Sequence, residues 1–204
     1  MQADKIRIAV LVSGGGTNLQ ALLDAQESGI LHSGRIALVI SSSPRAYALT
    51  RAENAGVPTA VASKKELGQK GMEDRIRELL AEHEIRLIVL AGFLCILSAD
   101  FTRQFDHRIL NIHPSLIPAF CGEGFYGLRV HEAALARGVK VTGATVHFVN
   151  EIPDGGEIIM QKAVRILKND TPEALQKRVM RLAEWKLLPA ATELVAAKIQ
   201  KEEV

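Results

Sequence analysis

Three runs constrain this chain most: IRIAVLVS (6–13), RIALVISS (35–42) and RLIVLAG (86–92) stay apolar from one residue to the next. A strand with one wet face alternates apolar and polar side chains, so strands without alternation are covered on both faces. The segments between them carry apolar residues at helical spacing, as in TNLQALLDAQES, a helix near 46–55 and a helix near 68–83, with a short strand, VPTAVA, before the last. Strand and helix in alternation build a parallel sheet covered by helices, an α/β fold. ILNIH (109–113) reads as a fifth strand, and a helix is expected at about 129–137. KVTGATVHFV (140–149) and GEIIMQKAVRIL (156–167) are joined by NEIPDG, too short a link for a crossover helix. They form an antiparallel hairpin appended to the sheet. A C-terminal helical region begins near Thr171, with that residue as cap, Pro172 at the first helical position and Glu173 behind it.

The chain has 204 residues, 48% hydrophobic and 24% charged, enough for one well-filled core. One domain, 1–204, is expected, without repeats or linkers. No stretch approaches the roughly 18 to 20 uncharged residues of a membrane span, and MQADKIRIAV lacks the apolar region of a secretory leader. A cytoplasmic protein is expected. Cys95 and Cys121 show no C-x-x-C spacing and suggest neither disulfide nor zinc. A net charge of +2 and 4% aromatic residues argue against nucleic acid, and KKELGQKGMEDRIRELLAEHE reads as a solvated helix face.

SGGGTN (13–18) lies between the first strand and its helix. Glycines there let the backbone approach an anion, and the helix start supplies unpaired N–H groups. In the alternative reading Gly14, Gly15 and Gly16 make a tight turn, and Thr17 or Asn18 caps the helix. The dinucleotide fingerprint fails, because Leu19 stands where its third glycine belongs and the next strand ends in Ser41, Ser42 and Ser43 rather than a carboxylate. No G-x-x-x-x-G-K-[ST] loop occurs, so a monophosphate site is what survives.

Asn111 and His113, two apart on a strand, face one site at its carboxyl end, the edge where open parallel sheets bind ligands. Asn111 offers an amide donor for a developing oxyanion and His113 titrates near neutral pH. Asp154, in a D-G-G turn, is a carboxylate able to fold over that edge, and beside His113 it is expected to raise the imidazole pKa. Taken singly, each also reads as a strand end, a satisfied histidine and a turn residue. HEAAL (131–135) lacks the second histidine of H-E-x-x-H, and no metal is expected. Ser115 lacks a nucleophile elbow, and His147, inside TVHFV, is expected to be structural.

NIHPSLIPAF, together with SGGGTN, AGFLCIL (91–97) and TVHFVNEIPDGG (145–156), resembles the phosphoribosylglycinamide formyltransferase family, over nearly the whole chain. The resemblance implies a Rossmann-like, mostly parallel sheet flanked by helices with a C-terminal antiparallel hairpin. Its N-terminal half (1–100) would bind phosphate and its second half (101–204) would carry catalysis and folate binding. It also implies transfer of a formyl group from 10-formyltetrahydrofolate to the amine of glycinamide ribonucleotide in purine biosynthesis, without a metal. Catalytic roles fall on Asn111, His113 and Asp154, and ribonucleotide contacts on Gly14, Gly15, Gly16, Thr17, Asn18 and Glu184. Folate contacts fall on Leu94, Cys95, Ile96 and Leu97 and on the loop Asn150, Glu151, Ile152, Pro153 and Asp154. Two family arginines are absent, one where Cys95 stands and one near Gln69 or Lys70; Lys70 can replace the latter as a point charge but not as a fork. CGEGFYG (121–127) is richer in glycine than the family form and has no assigned role. A monomer or a homodimer is compatible with the resemblance. The rival readings are a 10-formyltetrahydrofolate hydrolase, which usually has H-H-S where His113-Pro114-Ser115 stands, and a non-enzymatic phosphate-ligand sensor, which has no need of the Asn, His and Asp set.

Overall fold

The computed structural model describes residues 5–202. Residues 1–4, the start of the stretch read as lacking a leader, lie outside them. The elements run β1 (Ile6–Val12), α1 (Thr17–Glu27), β2 (Gly34–Ser41), α2 (Tyr47–Asn54), β3 (Thr59–Val61), α3 (Lys64–Glu82), β4 (Leu87–Leu90), α4 (Ala99–Gln104) and β5 (Ile109–His113). They continue with α5 (Leu128–Arg137), β6 (Val141–Phe148), β7 (Ile158–Arg165), α6 (Pro172–Val179), a π-helical turn (Met180–Glu184) and α7 (Trp185–Glu202).

All seven strands form one sheet in the order β3-β2-β1-β4-β5-β6-β7. The pairings from β3 to β5 are parallel, and β6 and β7 are added antiparallel as a hairpin. The continuous apolarity of β1 follows from coverage on both sides. Ile8, Val10 and Val12 pack with Leu19 and Leu22 of α1 and Leu188 of α7, while Ala9 and Leu11 pack with Met72 and Ile76 of α3 and Phe101 of α4. Each such fully buried Ile or Leu contributes roughly 2 kcal/mol. The chain reverses direction across the sheet between β1 and β4, and the carboxyl ends of β1, β4 and β5 open onto a shared crevice.

Three local features differ from the sequence reading. The third helix starts at Lys64 rather than near residue 68, and Gly68 breaks it with φ 72 and ψ 177. The helix α4 has no counterpart among the expected elements, because six residues are too few for a periodic pattern; Ser98 caps it by accepting from Phe101 N–H at 3.2 Å, and Phe101 anchors it in the core. Neither Thr17 nor Asn18 caps α1, which is entered through a left-handed Gly16 with no side-chain cap. The last helical region behaves as expected: the Thr171 hydroxyl accepts from Ala174 N–H at 3.2 Å, with Pro172 at the first turn.

Candidate active site

Register builds the site. β5 pairs with β6 so that Asn111 stands opposite His147 and His113 opposite Thr145. Asn111 Nδ2 lies 3.2 Å from His147 Nε2 and 3.4 Å from Asp154 Oδ1. Asp154 Oδ2 lies 3.3 Å from His113 Nδ1 and accepts from Gly122 N–H at 2.9 Å, and its Oδ1 is 3.5 Å from His147 Nε2. The structure thus brings Asn111, His113 and Asp154 together from separate segments and adds His147. Asp154 reaches them because its backbone is left-handed, φ 55, a conformation aspartate tolerates better than most residues. Gly156 lets the turn close, since a Cβ there would sit 1.8 Å from the Phe148 carbonyl oxygen.

Both ring nitrogens of His113 are engaged. Nε2 lies 2.9 Å from the Phe120 carbonyl oxygen and Nδ1 faces the Asp154 carboxylate, so each nitrogen meets a group that only accepts, and the single proton of the neutral ring serves one of them at a time. Burial pushes the His113 pKa down; Asp154 and the Phe120 carbonyl pull it back only in part, and His147 adds to the lowering. The expected rise beside a carboxylate is therefore reversed, because desolvation of the imidazolium outweighs the attraction. For Asp154 burial acts upward, but His147, His113 and the Gly122 N–H outweigh it and hold the carboxyl below its usual value.

These groups border a cavity of about 390 Å³. Leu94, Cys95, Ile96 and Leu97 form one wall, and the loop Asn150–Asp154 forms another. Leu94, Ile96 and Ile152 are 65%, 59% and 60% exposed, an apolar rim left in water, as expected of a ligand site. Asn18 and Glu184 lie on the same cavity, joined by an Asn18 Nδ2 to Glu184 Oε2 hydrogen bond of 2.8 Å. Burial pushes the Glu184 pKa up to about 7, against the lowering effect of Asn18.

The remaining expected contacts lie elsewhere. Gly14, Gly15 and Gly16 flank the cavity without lining it. α2 holds their carbonyls, with Ala48 N–H donating to Gly14 at 3.0 Å and Arg51 Nε to Gly15 at 2.8 Å. In trans peptides this turns the N–H groups of Gly15 and Gly16 away from α2. Thr17 borders a separate cavity of about 580 Å³ with Arg51 and Trp185. Lys70 is not brought to the site: it pairs with Asp74 at 2.6 Å and its side chain is 90% exposed. Among the described residues no group of three or more His, Cys, Asp or Glu side chains is arranged to hold a metal ion, and no helix is long and apolar enough to cross a membrane.

Residues 6–192 match the family model described as Formyl transferase. The chain belongs to the formyl transferase family. Among similar proteins, phosphoribosylglycinamide formyltransferase of Haemophilus influenzae is 43% identical over 184 residues, covering 90% of this chain and 84% of that protein. The trifunctional purine biosynthetic protein adenosine-3 of Bos taurus is 45% identical over 200 residues, 97% of this chain, which spans only 19% of that longer protein. The crystal structure of glycinamide ribonucleotide transformylase 1 from Symbiobacterium toebii superposes with a TM-score of 0.88 at 39% identity, covering 97% of this chain and 94% of that one.

Three parts of this candidate site escaped the sequence reading. His147, read there as structural, lies against Asn111 and Asp154; only the strand register shows this. His131 is buried on the cavity wall with neither ring nitrogen hydrogen-bonded, and burial, with His113 nearby, lowers its pKa to about 4. The unassigned segment 121–127 lines the cavity from Gly122 to Gly127. Its glycines gave the signal, because Gly122, Gly124 and Gly127 all adopt positive φ.

Proposed function

We propose that this formyl transferase moves the formyl group of 10-formyltetrahydrofolate to the amine of glycinamide ribonucleotide. The observation that carries the reading is the meeting of Asn111, His113 and Asp154 at one cavity. The amine attacks the formyl carbon, and the carbonyl electrons move onto its oxygen. Asn111 Nδ2 is the donor for that oxyanion. The folate nitrogen must gain a proton to leave while the attacking nitrogen loses one, and His113, steadied by Asp154, exchanges them. Nε2 becomes available for this when the Phe120 carbonyl gives way. The apolar wall Leu94–Leu97 and the loop Asn150–Pro153 receive the folate, and Glu184, with Asn18, receives the amino end of the ribonucleotide. The N–H groups of the Gly14–Asn18 turn receive its phosphate.

One assay tests the reading: 10-formyltetrahydrofolate is incubated with the protein, with and without glycinamide ribonucleotide, and loss of the formyl group is followed. Loss only in the presence of the ribonucleotide is expected. Loss without it would make the protein a hydrolase, and binding without loss would leave a sensor.

A further inference from the structure

The apolar wall of the cavity has no regular backbone of its own. Residues 91–98, between β4 and α4, carry no helix or strand, yet they must present Leu94, Ile96 and Leu97 in one fixed arrangement for a flat ligand to rest on them. Near its start, Leu94 N–H donates to the Ser13 hydroxyl at 2.9 Å. Its far end is held from below by one side chain. Glu73, in the second segment of α3 and only 4% exposed, accepts from Ser98 N–H at 2.7 Å through Oε1 and from the Ser98 hydroxyl at 2.7 Å through Oε2. Gln69 Nε2 donates to the same Oε1 and also to the Ile96 carbonyl at 3.0 Å. Three of these hydrogen bonds therefore reach two residues of the wall, Ile96 and its cap Ser98, and the fourth ties Gln69 to Glu73.

The chemistry at this point is selective. Three neutral donors meet Glu73, and a carboxylate is the side chain that only accepts, on two oxygens at once. An amide at the same place would turn an N–H₂ toward a donor on one side. A carboxylate removed from water is costly unless its hydrogen bonds are made, so its presence under the wall is explained by what it holds. We infer that Glu73 is a positioning residue for the folate co-substrate, shaping the Leu94–Leu97 wall through Ser98, Gln69 and the Ile96 carbonyl without touching the ligand. The inference rests on the proposed folate site and adds to it the group that sets its shape. It also gives a role to Gln69, which stands near where the family resemblance led one to expect an arginine.

The test compares wild type with Glu73→Gln and Ser98→Ala. Calorimetric titration gives the Kd of 10-formyltetrahydrofolate, and steady-state rates give kcat and KM for both substrates. Glu73→Gln is expected to weaken 10-formyltetrahydrofolate binding about tenfold, the worth of a hydrogen bond to a charged group, and Ser98→Ala about threefold. KM for glycinamide ribonucleotide and kcat should stay within about twofold, the split that a general loss of structure would not give. Should Glu73→Gln fail to fold, Ser98→Ala carries the comparison alone. Unchanged folate binding, or an equal loss for both substrates, overturns the inference and leaves the function intact. A wild-type protein that binds no 10-formyltetrahydrofolate overturns both, and one that binds it but transfers nothing overturns the function alone.

Discussion

Gly122 N–H donates to the Asp154 carboxylate at 2.9 Å, so the glycine-rich segment after Cys121 is fastened to the group that also faces His113. Asp154 thereby joins two loops and two histidines, and a change there acts on all four.

Asp154→Asn keeps the shape of the side chain and removes its charge. His113 loses the attraction that partly offsets burial, so its already lowered pKa falls further. On the proposed mechanism kcat should drop by about a hundredfold or more, and the acid limb of the pH–rate profile should move to lower pH. Steady-state rates from pH 5 to 9 check both; an unmoved limb would separate Asp154 from His113.

His131 gives an acid-sensitivity prediction. Its pKa is about 4 in the folded protein against an ordinary 6.5, so between these values the unfolded chain binds more protons and stability falls as pH falls. His113, also lowered, acts in the same direction. His131→Leu should remove roughly 2 to 3 kcal/mol of the loss between pH 7 and pH 4.5. Urea midpoints at the two pH values measure it.

Glu184 has the opposite sign. Its folded pKa of about 7 lies above the ordinary 4.5, so the unfolded chain gives up its proton first and stability falls as pH rises through this window. Glu184→Gln should therefore unfold at a higher temperature than wild type at pH 8, by the equivalent of roughly 3 kcal/mol, with little difference at pH 4.5. On the proposed contact with the substrate amine, KM for glycinamide ribonucleotide should rise at least tenfold. Thermal scans at both pH values and one kinetic series suffice.

Gly156→Ala places a Cβ 1.8 Å from the Phe148 carbonyl oxygen, a contact that only backbone movement relieves. Stability should fall by about 1 to 3 kcal/mol and kcat by more than tenfold as the Asp154 turn shifts. Gly155, where the nearest atoms belong to the Ile152 side chain, is the milder comparison. Equal effects at the two positions would count against the turn geometry.

The sheet was legible because burial on both faces writes itself into β1, β2 and β4 as unbroken apolar runs, and the brevity of NEIPDG betrayed the hairpin. Asn111 and His113 were legible because a strand repeats every two residues. His147 was not, since its place depends on which residue of β6 faces Asn111, and nothing local fixes that pairing. The direction of the His113 shift was misread for a related reason: a neighbouring carboxylate can be read from a motif, whereas the depth of burial is set by the whole fold. Lys70 was placed by analogy with a family contact, and the geometry of α3 sends it to Asp74 instead.

The pairing of β5 with β6 has an evolutionary consequence. Slipping β6 by one residue would carry His147 out of the cavity and turn Val146 toward it, because neighbours on a strand point to opposite faces. An extra residue after Gly138 can bulge into solvent, but one inserted within Val141–Phe148 must move His147 away from Asn111. Length variation among relatives should therefore gather outside this ladder, whose hydrogen bonds act as the ruler for the spacing of Asn111, His113 and His147.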